Sequence, residues 1–540
     1  MTRIRKTRLW PALVCVALAA ASIAYGQTPN GGETSTAPVQ KCADLVKLQI
    51  PGSGMVITKA EPVPTAPAGT VRPSPFYPGT IPVAIPSYCL ANGAIDQRVG
   101  VDGKPYAIGF AIALPDNWNG RFLFQGGGGL NGSVSPPLGW QAAGNAPGLA
   151  RGFAVVSTDT GHQGAVFDAS FMKDQQASLD FAHAAVGRVT VLAKQIITKY
   201  YGRPAQHSYF SGCSTGGREG MLVSERYPTE FDGVVVGDPA METGYSNIAL
   251  AQAAVAFNQI APKDASGKPV PANDFSAADK KLLTDAILQA CDSLDGLKDG
   301  MIFNRTACHF DPGVLTCKGA KTDACLTSQQ VGALQKAFAG PKDSRGRQIY
   351  PAFLYDTGMI AGAPGTFSNF LPSTGPNPLG PPNLALSLDV DQRVAAVAAD
   401  GNQILTDTAA WTNLTTFLGR GGKLIFYHGT SDPIFSALDT LAYYQRMARD
   451  SGGMDRVQGS SRLFLVPGMG HCSGGPATLD SFDTLGAVVN WVEKGTPPDS
   501  IVATGRAFPG RSRPLCAYPK HAQYKGQGNP EDAANFECIE

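Results

Sequence analysis

The sequence predicts an α/β architecture, a mostly parallel sheet split by one large insertion, and three observations carry that expectation. From residue 106 onward, short apolar runs suited to strands alternate with longer runs suited to helices, as in a sheet covered on both faces. Between about 241 and 408 the alternation lapses, and beyond 408 it resumes. Within the first alternating part lies Gly212-Cys213-Ser214-Thr215-Gly216, preceded by the aromatic run Ser208-Tyr209-Phe210-Ser211 and followed by a helical stretch that Pro228 stops. Small residues around a serine permit a sharp strand-to-helix turn that presents its hydroxyl at the sheet edge.

Taken in order, the chain opens with Arg3, Arg5, Lys6 and Arg8 ahead of an apolar run at 9–23, then Ala24-Tyr25-Gly26 before Gln27. Residues 1–26 therefore read as a secretory signal peptide, too short for the ~20 residues of a membrane span, and the mature protein is expected to be secreted or periplasmic with no anchor. Residues 27–41, rich in Thr, Pro and Gly, read as a flexible leader. Residues 42–240 form the first part of the core, with strands expected at 108–114, 122–124, 153–157, 209–210 and 234–236 and helices at 181–200 and 217–227. Residues 241–408 read as a loop-rich lid domain. Residues 409–540 return to the core, with strands at 423–427 and 463–466 and helices at 437–449 and 482–494.

Composition removes some classes of partner. Lysine plus arginine number 44 against 43 aspartates and glutamates, so no basic field is available to hold nucleic acid. Of eleven cysteines, Cys15 leaves with the signal peptide, and the even remainder in an exported chain favours disulfides. No C-x-x-C pair suggests zinc.

A serine becomes a nucleophile when a base takes its proton, and a carboxylate must orient that base. In the α/β-hydrolase order the acid and then the histidine follow the serine, each on a loop after a late strand. Gly429-Thr430-Ser431-Asp432-Pro433 and Gly468-Met469-Gly470-His471-Cys472 occupy those two places, so Ser214, Asp432 and His471 form the candidate triad. Cys213 precedes the nucleophile and Cys472 follows the base; if serine and histidine meet, the two cysteines fall within disulfide range. The developing oxyanion needs backbone donors, one from Thr215 and another from the loop Gln125-Gly126-Gly127-Gly128-Gly129-Leu130-Asn131-Gly132. Within the insertion, Asp292, Asp295 and Asp299 stand on a tight glycine turn. Three carboxylates with backbone carbonyls suit a hard cation such as calcium, and an ordinary solvated acidic turn is the other reading of the same spacing.

Gly-Cys-Ser-x-Gly-Gly, Ser-Asp-Pro and Gly-His-Cys in this order resemble the tannase and feruloyl esterase family from about Cys42 to Cys538, as do Asn119-Gly120-Arg121-Phe122 and Ser473-Gly474-Gly475-Pro476. The resemblance reaches the branch that contains mono(2-hydroxyethyl) terephthalate hydrolase. It implies an α/β-hydrolase fold with an inserted lid, the triad above, and Gly129 with Thr215 as oxyanion donors. It further implies structural calcium on Asp292, Asp295 and Asp299 with the carbonyls of Leu297 and Met301, and the pairs Cys42–Cys89, Cys213–Cys472, Cys291–Cys308, Cys317–Cys325 and Cys516–Cys538. The implied substrate is a small aromatic ester. The lid stretch at 370–389 is shorter and richer in proline than that branch suggests, which favours a feruloyl or galloyl ester, with terephthalate half-esters as the alternative. A peptidase would use the same parts, and a calcium-dependent binding protein could keep the fold without turnover, but it would have no need of a strained elbow.

Overall fold

A nine-stranded sheet organises the computed structural model, which describes residues 35–74, 79–360 and 383–540. Its strands in chain order are β1 (Met55–Val63), β2 (Tyr88–Val99), β3 (Pro105–Pro115), β4 (Arg121–Gln125), β5 (Ala154–Thr158), β6 (His207–Cys213), β7 (Gly233–Gly237), β8 (Lys423–Gly429) and β9 (Ser461–Val466). They lie side by side as β1-β2-β3-β5-β4-β6-β7-β8-β9. The first three neighbouring pairs are antiparallel, and from β5 to β9 every pair is parallel.

The parallel strands are short and apolar on both faces because both faces are covered. Phe124, Phe210, Val234, Val236 and Phe426 point into one core with Val189 and Ile196 of helix Ala185–Tyr201 and Tyr444 of helix Ala437–Asp450. Their neighbours Leu123, Tyr209, Val235 and Ile425 point into the opposite core with Leu485, Val488 and Trp491 of helix Thr484–Lys494. All the expected core strands form. Strands β1 and β2 were not foreseen, since β1 is an edge strand that mixes Lys59, Glu61 and Pro62 with its apolar residues and buries little beyond Met55 and Ile57.

The insertion between β7 and β8 has long stretches outside any α-helix, as at 292–327 and 339–356, and is built around helices that the sequence reading did not place. Helices Thr243–Ile260, Ala277–Cys291 and Ser328–Phe338 share a core of Phe257, Leu283, Ile287, Leu334 and Phe338. The first is buried on most of its surface and alanine-rich, so its sequence carries no amphipathic stripe. The other two begin with capping boxes, Ser276 with Asp279 and Thr327 with Gln330, a start signal that the sequence did contain. Where the insertion leaves and rejoins the core, Thr408 N–H donates to Met241 O at 3.1 Å.

The leader also needs correction at its described end. Thr36 N–H donates to Trp118 O at 2.8 Å and Val39 N–H to Tyr200 O at 2.9 Å, so the chain is seated on the core before Cys42. The signal-peptide reading, residues 27–34 and residues 370–382 fall outside the described residues. Two C-terminal hairpins, unforeseen, pair β10 (Ser500–Thr504) with β11 (Ser512–Cys516) and β12 (His521–Tyr524) with β13 (Phe536–Ile539). Five disulfides close the chain on itself, Cys42–Cys89, Cys213–Cys472, Cys291–Cys308, Cys317–Cys325 and Cys516–Cys538, the pairs that the family resemblance implied. No described helix is long and apolar enough to cross a membrane.

Candidate active site

Ser214 occupies the turn between β6 and helix Thr215–Arg226 with φ 64° and ψ −124°, a conformation costly for a residue with a side chain. The surrounding backbone holds it there. Ser214 N–H donates to Gly237 O at 3.0 Å, while Arg218 N–H and Ala240 N–H donate to Ser214 O at 3.0 and 3.1 Å. The turn is tight enough that a Cβ on Gly212 would stand 2.5 Å from Gly216 O, which is why a small residue flanks the serine.

Asp432 and His471 arrive from the ends of β8 and β9. Nδ1 of His471 lies 2.6 Å from Asp432 Oδ2, and the other carboxylate oxygen accepts the N–H groups of Ile434 (2.7 Å) and Phe435 (3.1 Å). Burial pushes the Asp432 carboxyl up, but the imidazoles of His471 and His428 outweigh it and hold the acid well below the usual carboxylate range. Burial likewise pulls the His471 imidazole down, and the Asp432 charge overcomes it, leaving the base above its ordinary value. The Cys213–Cys472 disulfide, with 5.9 Å between its Cα atoms, joins the residue before the serine to the residue after the histidine.

Behind the acid lies a second buried layer that sequence reasoning missed. Asp238, at the end of β7, accepts the Gly429 N–H at 2.8 Å, and burial raises its carboxyl to about 6. His428 Nε2 is 3.4 Å from Asp432 Oδ2, 3.6 Å from Asp238 Oδ1 and 3.0 Å from Phe435 O. Because Phe435 O can only accept, Nε2 carries a proton, and Nδ1 lies 2.8 Å from the Thr440 hydroxyl. On the lid side, buried Asp356 accepts the Thr430 hydroxyl and the Gly468 N–H (3.0 Å), so one carboxylate grips the loops that carry Asp432 and His471. No local motif marks these residues.

The glycine loop after β4 is fastened to helix Thr215–Arg226. Gly129 has φ +58°, and a Cβ there would sit 2.5 Å from Val166 O. The Thr215 hydroxyl donates to Gly129 O. Buried Glu219 accepts Gly127 N–H at 3.0 Å and Asn131 Nδ2–H at 2.9 Å. Thr215 is the first residue of its helix, where N–H groups have no acceptor within the helix. Gly129 and Thr215 therefore lie on two segments locked to each other beside Ser214.

The acidic turn of the lid is ordered by its own backbone. Asp292 Oδ1 accepts the N–H groups of Asp299 (3.2 Å) and Gly300 (3.1 Å), Asp295 Oδ1 that of Leu297 (3.2 Å), and Asp299 Oδ1 that of Met301 (3.2 Å). Arg513 pairs with Asp299, and Arg511 stands 3.5 Å from it, tying the turn to the C-terminal hairpins rather than to the triad. Burial and then the neighbouring Asp299 raise Asp295 to about 7. Oxygen donors held at that cost suit a hard divalent cation. The three carboxylates do not, however, bring ligand atoms within 4.8 Å of one another; among the described residues such triplets occur at Cys213, Asp238 and Cys472 and at Asp238, Asp432 and His471.

Comparison with known proteins adds three findings. A family model described as tannase and feruloyl esterase matches residues 93–371 and 382–539. Mono(2-hydroxyethyl) terephthalate hydrolase of Piscinibacter sakaiensis is 41% identical over 525 residues, covering 84% of this chain and 85% of that protein, and a probable feruloyl esterase of Arthroderma benhamiae is 30% identical over 529 residues, covering 92% and 93%. The crystal structure of feruloyl esterase B from Aspergillus oryzae superposes with a TM-score of 0.72 at 26% identity, covering 92% of this chain and 99% of that one.

Proposed function

We propose that this chain, which belongs to the tannase and feruloyl esterase family, hydrolyses small aromatic carboxylic esters through an acyl-enzyme on Ser214. The hydrogen bond of 2.6 Å between His471 and Asp432, beside a serine on a strained elbow, is the observation that supports it most. His471 Nε2 takes the hydroxyl proton as Oγ attacks the ester carbonyl, and Asp432 steadies the imidazolium. The N–H groups of Gly129 and Thr215 receive the oxyanion. Collapse of the tetrahedral intermediate passes the proton to the leaving alkoxide. Water, deprotonated by the same histidine, then attacks the acyl carbonyl and frees the acid.

A feruloyl or galloyl ester is the first substrate reading, in keeping with the feruloyl esterases among its relatives. The 41% identity with mono(2-hydroxyethyl) terephthalate hydrolase supports the second, a terephthalate half-ester. Both rest on the same triad. Rates on methyl ferulate, methyl gallate and a terephthalate half-ester separate them, and Ser214→Ala should remove all three activities by a factor on the order of 10⁴ or more. Retention of a tenth of the wild-type rate would refute the nucleophile. Calcium belongs to this reading as a structural ion on Asp292, Asp295 and Asp299 with the carbonyls of Leu297 and Met301, neutralising a charge cluster that burial disfavours. Export to an oxidising compartment belongs to the same reading, in keeping with the five disulfides among the described residues.

A further inference from the structure

Asp238, at the end of β7, is fully buried and has φ +36°, inside the left-handed region that a residue with a side chain enters at a cost. Such strain persists where the surroundings enforce it, and here they come from every catalytic segment. Asp238 N–H donates to Tyr427 O at 3.0 Å, and Oδ1 accepts the N–H of Gly429, the last residue of β8 before the loop of Asp432, at 2.8 Å. Oδ2 lies 3.4 Å from Cys213 Sγ, and an oxygen of Asp238 and both sulfurs of the Cys213–Cys472 bridge stand within 4.8 Å of one another. The residue before the serine, the residue after the base and the strand that leads to the acid thus pack on one carboxyl group.

Packing alone does not call for an acid at this place. A disulfide sulfur has no proton to give, so among the described residues Gly429 N–H is the one donor within hydrogen-bond distance of the carboxyl. A buried carboxyl so poorly provided is costly to ionise, and burial raises it to about 6. Two imidazoles oppose that cost. His428 Nε2, which carries a proton, stands 3.6 Å from Asp238 Oδ1 and 3.4 Å from Asp432 Oδ2, between the two acids. A ring nitrogen of His471 and an oxygen of each acid lie within 4.8 Å of one another. Tyr427 of β8 also faces Asp238, and burial pushes its phenol up, so it stays neutral. The Asp238 charge raises the His471 imidazole, as the larger influence of Asp432 does.

We propose that Asp238 is a positioning residue for the reaction at Ser214: it holds the strand of the acid and the Cys213–Cys472 bridge in register, and its carboxylate is a second counter-charge to the imidazolium that His471 becomes. This role rests on the reading of Ser214 as nucleophile. The proton that leaves Ser214 stays on His471 Nε2, and Asp238 takes none. It needs no access to substrate or solvent, because it acts through groups that already surround it.

Asp238→Asn tests the role, since the amide oxygen can keep Gly429 N–H while the charge is lost. On para-nitrophenyl acetate kcat should fall about tenfold or more with KM within about twofold, the mark of lost transition-state stabilisation. His471 must be neutral to act and loses a charge that raises it, so the acid limb of kcat/KM should move to lower pH. A merely structural side chain would lower kcat and the melting temperature together and leave that limb in place. An unmoved limb, or a kcat within about twofold of wild type, overturns the proposal. If the variant fails to fold, the wild-type profile still decides: with Asp238 to be ionised and His471 to be neutral, the acid limb should steepen beyond one proton, and a one-proton limb throughout overturns the proposal. Ser214→Ala separates this role from the reading beneath it. An active Ser214→Ala removes both, whereas an inactive one beside a wild-type profile in Asp238→Asn removes this role alone.

Discussion

The disulfide between Cys213 and Cys472 fixes the distance between the elbow and the loop of the base, and its loss should be felt twice. Closing a loop of 259 residues restricts the unfolded chain by roughly 5.5 kcal/mol in the chain-entropy treatment, near the top of what single bridges contribute. The same treatment gives roughly 3.4 kcal/mol for Cys516–Cys538, with a separation of 22. Replacing Cys213 and Cys472 together by serine should therefore lower the melting temperature more than replacing Cys516 and Cys538. The catalytic effect separates the two further. His471 is held by Asp432 on one side and by the bridge on the other, whereas Ser214 depends on its own turn. Without the bridge the base should drift by a fraction of an ångström, enough to reduce kcat about tenfold or more with KM little changed, because alignment and not substrate contact is lost. The control pair touches no catalytic loop and should keep kcat. Steady-state kinetics and thermal melts on both double variants decide the matter. A kcat within twofold of wild type for Cys213→Ser with Cys472→Ser, or a melting loss no greater than that of the control pair, would refute the reasoning.

Three further outcomes follow from the geometry. His471 must be neutral to act, and Asp432 raises its pKa, so kcat/KM should fall as pH drops below a value above that of an ordinary histidine. Asp432→Asn removes the raising charge and leaves burial, which pulls the imidazole down; the acid limb should move to lower pH while the plateau falls on the order of 10⁴-fold. A pH–rate profile with an unmoved limb would contradict this. Glu219→Ala strands the donors of Gly127 and Asn131 and should reduce kcat and the melting temperature, since each orphaned buried donor costs about 1–3 kcal/mol. Glu219→Gln should be mild, because buried Asn131 Oδ1 has no partner and the amide can turn over to accept from the new NH₂ group. Finally, chelation of calcium should lower the melting temperature while leaving kcat at 25 °C within about threefold, as the acidic turn is anchored to Arg511 and Arg513 and not to the triad. A melt that chelator leaves unchanged would remove the ion from the account.

What could be read from the sequence was whatever local chemistry dictates. The run Val234-Val235-Val236 admits no structure but a strand buried on both faces, and Ser214 among small residues admits few alternatives to an elbow. That Asp432 and His471 would meet was legible because each follows a late strand of the same sheet, and their side chains lie 2.6 Å apart. Glu219, Asp238, Asp356 and His428 were not, since each acts on a group brought near by the fold: Asp238 lies 191 residues from the Gly429 N–H that it accepts, and Asp356 lies 112 from Gly468. Helix Thr243–Ile260 escaped for the opposite reason, being apolar on most sides and so without periodicity. The hairpins after residue 500 are short and half-polar, with strands of four or five residues stabilised by their pairing and by the Cys516–Cys538 bridge.

The hydrogen bond between Thr408 and Met241 bears on how such a chain can diversify. An insertion whose two ends meet at 3.1 Å can be exchanged for another of different length without moving a strand of the sheet, so the lid behaves as a cassette in a fixed socket. The exchange has one condition, set by Asp356, because that lid carboxylate grips Thr430 and Gly468 from the far side of the socket. A transplanted lid that keeps the Met241 and Thr408 junction but drops Asp356 would be expected to fold onto the sheet and leave the loops of Asp432 and His471 unclamped. Recombination between relatives at the Met241 and Thr408 junction is therefore expected to succeed when the incoming lid keeps Asp356, and to yield folded, sluggish proteins when it does not.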